Sequence, residues 1–586
     1  VSQKIKVAIF DLTDCEGCEV QFLALKEKLL DLFESVEINN WRLMKDNNNF
    51  RQFDISFIEG FVSNISDINL IKKIRAKSKM VIALGNCAIN GNFFNEFNDK
   101  KRVEISKKIY NASYKIKATT CQPLKNFIKV DQKIMGCPIG DDEIYKFFHE
   151  LDKIIKNIKK IPASSEKENN NKITQNYIAK IEGHGKLNIN FRQNKLNLEI
   201  DEGERLLEEL LIGKSYTLAP YMTSRICGVC PTAHNLTAIK AVENAFSIKI
   251  PAQVTSLRKI LLNTQIIQSH LLHLFFLVLP DYYNTSSAME IIKKYPAEFH
   301  IALNIKRLCD KILTIIAGRA VHPTNTCVGG FNKYPTQDEL SQIRDTLYDS
   351  IDEVEDLVKI FTQITFYNLS CPTNYLGAAQ NNNNYDFYSC KKIISSDGKF
   401  SSSKFKNKVK EFVSFSSTAK YALLNDKSFM VGALSRINCS GKYLKGKAKE
   451  YYIAYKDKLT SNNPFYNNLA QAIEMLQAYQ DSLDIISDLI KNCKTPKPIS
   501  IKVKAGIGFA LVEAPRGLLF HYYKINKKGI ITKADIITPT VQNIANMERD
   551  CQKLLELTEK LPDTSRQELI EQLIRAYDPC MTCSVH

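Results

Sequence analysis

Two stretches of this 586-residue chain set cysteines three positions apart, with a histidine shortly after. "RICGVCPTAH" contributes Cys227, Cys230 and His234, and "DPCMTCSVH" contributes Cys580, Cys583 and His586. Four thiolates suit soft or borderline metals: zinc, nickel or iron–sulfur clusters. A structural zinc site made of two knuckles and a redox metal site both fit this spacing, although pairs so far apart along a chain are unusual for a zinc ribbon. A chain end normally frays and is a poor place for reactive thiols, so a metal is what would hold the last residues down.

A second set is Cys15 and Cys18 in "DCEGCE", Cys87 in "ALGNCA" and Cys137 in "IMGCPIG". Four thiolates around one point hold zinc or an iron–sulfur cluster, and the plain alternative is that Cys87 is a small buried residue. The elements around them give the set a place. "KVAIF" (6–10), "ISFIEG" (55–60) and "MVIALG" (80–85) are short apolar runs, and a helical pattern over about 19–34 follows the first. Alternation of this kind predicts a parallel sheet with crossover helices, whose ligands sit beyond the carboxyl ends of the strands. Cys15 and Cys18 follow the first run, Cys87 the third and Cys137 a further apolar run, so the four can converge on one sheet edge.

The polar, aperiodic "PASSEKENNNKITQN" reads as a linker over about 161–176, dividing an α/β domain (1–160) from a larger unit (177–586). In the larger unit "KLNINF" (186–191) and "KLNLEI" (195–200) alternate as a hairpin. Helical periodicity dominates beyond it, over 233–246 and near 254–279, 339–367 and 467–492.

Hydrophobic residues make up 44% and charged residues 24%, the balance of a globular protein. The net charge of +17 comes largely from lysines spread through an Asn- and Lys-rich chain. No basic stripe with aromatic support points to nucleic acid. "LLHLFFLVLP" has about half the length of a membrane span, and "VSQKIKVAIFDLTD" carries no export signal, so a reducing, cytoplasmic setting is expected for the sixteen cysteines.

"RICGVCPTAH" and "DPCMTCSVH" together resemble the two nickel-binding signatures of the large subunit of NiFe hydrogenases. "DCEGCE", "ALGNCA" and "GCP" resemble the small subunit's signatures for a proximal 4Fe–4S cluster. "IEGHG" (181–185), "ERLLEELLIGK" (204–214), "GRAVHP" (318–323), "VGALSRIN" (431–438) and "EAPRGLLFHYY" (513–523) are similar to large-subunit segments in the family's order. The likeness covers nearly the whole chain, as a small and a large subunit fused, and is strongest to the soluble bidirectional cytoplasmic branch. It implies a flavodoxin-like parallel-sheet domain followed by a mostly helical α+β domain.

The resemblance also implies roles. Cys227, Cys230, Cys580 and Cys583 would hold nickel, with Cys230 and Cys583 bridging to an iron whose cyanide and carbonyl ligands are installed by maturation proteins. Cys15, Cys18, Cys87 and Cys137 would hold the 4Fe–4S cluster. Arg516 would lie over the metal pair, positioned by Pro515 and Asp578. Cys583 and Glu182 would handle the proton of dihydrogen cleavage, and His234 would hydrogen-bond a bridging thiolate. Glu208, Gln542 and His586 would bind a magnesium or iron ion tying down the terminus. In the family a tail beyond that histidine is removed after nickel insertion. Serine stands in "GALSRIN" where alanine is expected, and His270, His273 and His322 read as core histidines.

The other eight cysteines form no further CxxC pair, and no G-x-G-x-x-G fingerprint is present. The chain is therefore expected to end its own electron path at one cluster and to need a flavin or iron–sulfur partner subunit. A hydrogen sensor of slow turnover and a zinc-stabilised structural protein are the competing functions.

Overall fold

The computed structural model describes residues 4–23, 36–46, 48, 50–110, 116–140, 142–147, 150, 177–379, 384–415, 417–491 and 496–585. The linker expected over 161–176, most of the helical pattern over 19–34 and His586 lie outside them.

Successive residues of the first strand, β1 (Ile5–Asp11), face different cores. Val7 and Ile9 enter the large core shared with the C-terminal unit, while Ala8 and Phe10 enter a separate core with Ile58, Val81 and Ala83. A strand buried on both faces is what an apolar run without strict alternation encodes. β2 (Val36–Trp41), β3 (Phe53–Glu59), β4 (Ser78–Leu84) and β5 (Gln132–Ile134) complete an all-parallel sheet in the order 2-1-3-4-5. The order reverses between β1 and β3, the switch point of a doubly wound sheet. "VEINNW" has no strand signature of its own; pairing along β1 from Ile5↔Val36 to Ile9↔Trp41 makes β2.

Short or long helices follow these strands: α1 (Gly17–Phe22) after β1, α2 (Ile65–Lys77) after β3 and α3 (Gly85–Asn90) after β4. α2 opens on a capping box, with Asn64 and Asp67 bonding each other's backbone N–H.

In the C-terminal unit, β6 (Gly185–Asn190) and β7 (Lys195–Ile200) form the expected hairpin. α4 (Leu207–Leu211) and α5 (Pro231–Phe246) come next. α6 (Ala252–Leu271) packs on α8 (Asn467–Lys491), and α7 (Ala433–Ser440) lies beside α8. The helical path from Ala252 to Tyr282 is long and apolar enough to cross a membrane, but 94% of its most apolar window is buried inside the protein. Buried polar residues on it, Arg258, Gln265 and His270, bond to Glu243, the Val229 carbonyl and Glu474 inside the protein, which marks it as a core helix. An antiparallel meander then runs through β8 (Gly506–Ala514), β9 (Gly517–Ile525) and β10 (Ile531–Ile537), before α9 (Pro539–Leu557) and the single turn α10 (Met581–Ser584). Ala514 pairs with Gly517, so Pro515 and Arg516 are the two-residue turn of the first hairpin.

Candidate metal centres

Both CxxC loops of the C-terminal unit are folded by one local device. The first cysteine's sulfur accepts a backbone N–H from the second, from Cys230 to Cys227 Sγ at 3.0 Å and from Cys583 to Cys580 Sγ at 3.2 Å. Cys230 and Cys580 are the N-cap residues of α5 and α10. A helix start favours thiolate over thiol. The loops meet tail to tail: Cys230 Sγ lies 3.6 Å from Cys583 Sγ, and Cys227 Sγ 3.8 Å from Cys580 Sγ. The sulfurs of Cys227, Cys230 and Cys583 lie within 4.8 Å of one another, and all four cysteines are buried.

Glu182 joins this group through backbone and side chain. Its carbonyl accepts Met581 N–H at 2.8 Å, and its Oε1 accepts from Cys227 Sγ at 3.0 Å and Thr582 Oγ1 at 3.2 Å. Arg516 Nη2 approaches Glu182 Oε2 at 3.3 Å and Asp578 Oδ1 at 3.0 Å, while its Nε donates to the Asp578 carbonyl at 2.8 Å. Gln471 donates to the other Asp578 oxygen at 2.9 Å. Arg436 holds the turn that carries Arg516, donating to the carbonyls of Ala514 and Pro515 at 2.9 Å each. Burial pushes the Glu182 carboxyl well above its ordinary range, reinforced by Cys580 and opposed by Arg516. Burial also pushes the thiols of Cys227 and Cys583 up. Cys580 goes the other way: hydrogen bonds from the other three thiols and the Arg516 charge outweigh its burial and hold it well below the usual thiol range. A metal would displace the remaining thiol protons.

His234 Nε2 lies 3.8 Å from Cys583 Sγ, and its Nδ1 lies 3.2 Å from His521 Nε2, which continues to the Tyr523 hydroxyl at 2.8 Å. Four convergent thiols fit a soft metal pair. Arg516 Nη1, buried without a hydrogen-bond partner, fits a polar ligand on that pair.

The other four cysteines stand beyond the carboxyl ends of β1, β4 and β5, with Cys15 and Cys18 buried and Cys87 and Cys137 partly exposed. Asn92 Nδ2 lies 3.8 Å from Cys87 Sγ and 3.3 Å from Cys137 Sγ. His322 brackets the set, with Nε2 3.7 Å from Cys15 Sγ and Nδ1 3.9 Å from Cys137 Sγ. Gly85 has φ +76°, and a methyl there would stand 2.5 Å from Cys18 Sγ, so only glycine leaves that sulfur its place. Asn92 and His322 thus link Cys87, Cys137 and Cys15, and Gly85 admits Cys18 beside them, a set of four thiols of the kind that holds an iron–sulfur cluster.

The third proposed group is only partly in view. Glu208, on α4, accepts Ile536 N–H at 2.6 Å and pairs with Lys420 at 3.2 Å. Gln542 donates to the carbonyls of Leu518 at 2.6 Å and Thr538 at 3.1 Å. Both reach the end of β10, while His586 is outside the described residues. His270 bonds Glu474 at 3.0 Å, and His273 bonds Gln471 and the Arg575 carbonyl, as core histidines do. His322 instead belongs to the sheet-edge set. Ser435 of "GALSRIN" spends its hydroxyl on the Leu376 carbonyl at 2.8 Å.

Two buried arginines build the junction. Arg205 donates to the carbonyls of Arg225 and Ile226 at 3.0 and 2.8 Å, to Thr582 and to Val585 at 3.3 Å, lacing both CxxC loops together. Arg42, from the sheet domain, donates to the carbonyls of Ile181 and Gly183 at 2.9 and 2.8 Å and pairs with Asp11 and Glu16. Arg205 lies at the start of the segment "ERLLEELLIGK", whereas Arg42 has no signal in the sequence and is set apart by its burial.

Four convergent thiols beside a buried carboxyl and guanidinium, with a second thiol set on a doubly wound sheet, are the donor groups of a metal-dependent redox protein. The profile of the nickel-dependent hydrogenases matches residues 205–300 and 414–586, and that of the 20 kDa chain of NADH ubiquinone oxidoreductase matches residues 15–151. The alpha chain of sulfhydrogenase 1 from Pyrococcus furiosus is 36% identical over 71% of this chain and 97% of its own length. A chain of the vhc F420-non-reducing hydrogenase of Methanococcus voltae is 29% identical over 70% of this chain and 94% of its own length. The chain belongs to the NiFe hydrogenases, with small- and large-subunit parts on one polypeptide. An NAD+-reducing [NiFe]-hydrogenase in its H2-reduced state shares the fold, with a TM-score of 0.64 over 70% of this chain and 98% of that one, at 21% identity.

Proposed function

We propose that this chain cleaves dihydrogen heterolytically and reversibly at a nickel–iron pair held by Cys227, Cys230, Cys580 and Cys583. The observation that carries the reading is the buried Glu182 carboxyl, 3.0 Å from the Cys227 sulfur and 3.3 Å from the likewise buried Arg516. A structural zinc site needs neither. When bound, the metals would polarise dihydrogen and take up its electrons. Glu182, 3.0 Å from the Cys227 sulfur, would receive the proton from the thiolate side. Arg516, held by Asp578 and the Pro515 turn, would offer its free N–H to a cyanide ligand installed by maturation proteins. His234 would donate to the Cys583 sulfur.

Electrons would leave through a single 4Fe–4S cluster on Cys15, Cys18, Cys87 and Cys137, and from there to a flavin or iron–sulfur partner subunit in the cytoplasm. Glu208, Gln542 and His586 would bind a magnesium or iron ion. The domain division at 1–160, 161–176 and 177–586 separates the two centres. Elemental analysis should find one nickel and about five irons per chain, counting one cluster. An infrared spectrum should show cyanide and carbonyl bands. Zinc alone, without those bands, would overturn the reading.

A further inference from the structure

The glycines inside two of the CxxC loops touch. Gly228, after Cys227, donates its N–H to the Cys15 carbonyl at 2.6 Å. A methyl group on Gly228 would stand 2.3 Å from Gly17 Cα, 2.5 Å from Gly17 N and 2.7 Å from the Cys15 carbonyl oxygen. All three obstacles are backbone, so no rotamer change relieves them. Neither Gly17 nor Gly228 has positive φ. The close approach itself, rather than an unusual backbone conformation, requires glycine at position 228.

The contact closes a short bonded route between the two thiolate sets. From Cys227 Sγ it runs through that residue's Cβ, Cα and carbonyl carbon to the Gly228 nitrogen. It crosses the hydrogen bond to the Cys15 carbonyl and continues through Cα and Cβ to Cys15 Sγ. Every link except that hydrogen bond is covalent. His322 closes the far side: a methyl on Gly17 would lie 3.6 Å from His322 Cε1, 3.5 Å from Gly228 Cα and 3.2 Å from Cys15 Sγ.

We propose that Gly228 is a positioning residue for electron transfer: its contact with Gly17 sets the separation of the two centres, and its N–H carries the route from Cys227 to Cys15. This rests on the nickel–iron and 4Fe–4S reading above. Oxidation of dihydrogen yields two protons and two electrons. The electrons cross this junction one at a time and reduce two molecules of a one-electron viologen dye. Exchange of deuterium gas with solvent protons needs no electron to cross, so the two assays separate the junction from the chemistry.

The test is Gly228→Ala in the metal-loaded full-length chain. Nickel and iron contents, deuterium–hydrogen exchange, viologen reduction and the splitting of the nickel paramagnetic signal by the reduced cluster are measured. Viologen reduction should fall by a larger factor than exchange. The splitting should shrink. An equal fall in both assays, or unchanged splitting, would overturn the proposal. If Gly228→Ala retains no metals, Gly17→Ala decides, because its methyl meets Gly228 Cα at 3.5 Å and asks for a smaller shift. A larger loss in viologen reduction than in exchange, with altered splitting, supports the role, and equal effects remove it. A wild-type chain without nickel or cyanide and carbonyl bands would instead refute the underlying reading.

Discussion

Cys227, Cys230, Cys580 and Cys583 are all buried, whereas in the sheet-edge set Cys87 and Cys137 reach toward solvent. The neighbours differ in kind as well. Around the enclosed set stand a carboxylate, a guanidinium and a second carboxylate, Glu182, Arg516 and Asp578, in mutual contact. Around the sheet-edge set stand Asn92 and His322, and burial together with the Arg225 charge pushes the His322 imidazole well below its ordinary value. A site that must hold and move protons needs titratable groups with compensated charge. On the proposed reading the sheet-edge set passes electrons, and its two partly exposed cysteines give it an opening toward solvent.

The hardest blow to this division is loss of a thiolate. Cys580→Ser or Cys583→Ser should abolish nickel retention and hydrogen turnover while the sheet domain keeps about four irons. Elemental analysis and dye reduction check this, and full nickel in either variant would remove the C-terminal pair from the site. Arg516→Ala should come next. It leaves the buried Glu182 and Asp578 without their cation, a loss of about 3–5 kcal/mol when one partner of a buried pair is removed. Thermal unfolding of the variant beside Arg516→Lys, which keeps the charge, measures it.

Glu182→Gln should leave both metals in place and slow deuterium–hydrogen exchange by ~10²-fold, the scale of a lost acid–base group. Conversion of para- to ortho-hydrogen serves as the control, and unchanged exchange would exclude Glu182 from the proton path. The smallest effect tests the domain seam. His184 sits 2.9 Å from both Asp11 and Glu202. Burial alone would lower its affinity for a proton, but these two carboxylates raise it well above the ordinary value of 6.5. Its stabilisation is therefore complete below about pH 6.5 and lost as pH rises through the folded value. His184→Gln should destabilise the protein most at mildly acidic pH, where the imidazolium is fully paired with both carboxylates. The gap to wild type should narrow toward pH 10. Equal destabilisation at both pH values would mean that the imidazole packs there without its charge.

Much of the sheet-edge set was legible because a parallel sheet delivers every strand's carboxyl end to one side. Once β1 and β4 were read from "KVAIF" and "MVIALG", the cysteines after them had to share an edge. β2 was not legible, since "VEINNW" is made a strand by its partner. His322 reads as a core histidine from its own neighbours, and only the fold brings it beside Cys15, across the domain boundary. The meander of β8–β10 was hidden behind the helical patterns around it, although "EAPRG" marked its turn by type.

The short separation within each CxxC pair follows from the sequence alone, because two intervening residues cannot carry the cysteines far apart. The identity of the thiolates, the hairpin of β6 and β7 and the buried strands follow from residue type and period in the same way. The meeting of the loops does not. Cys227 and Cys580 are brought together by Arg205, by the Glu182 backbone and by a chain reversal hundreds of residues long. Gly228 and Gly17 carry no mark in the sequence that either needs the other. Such contacts are decided by tertiary packing, because two backbones a hydrogen bond apart leave no room for a side chain, and which two backbones meet is a property of the whole fold.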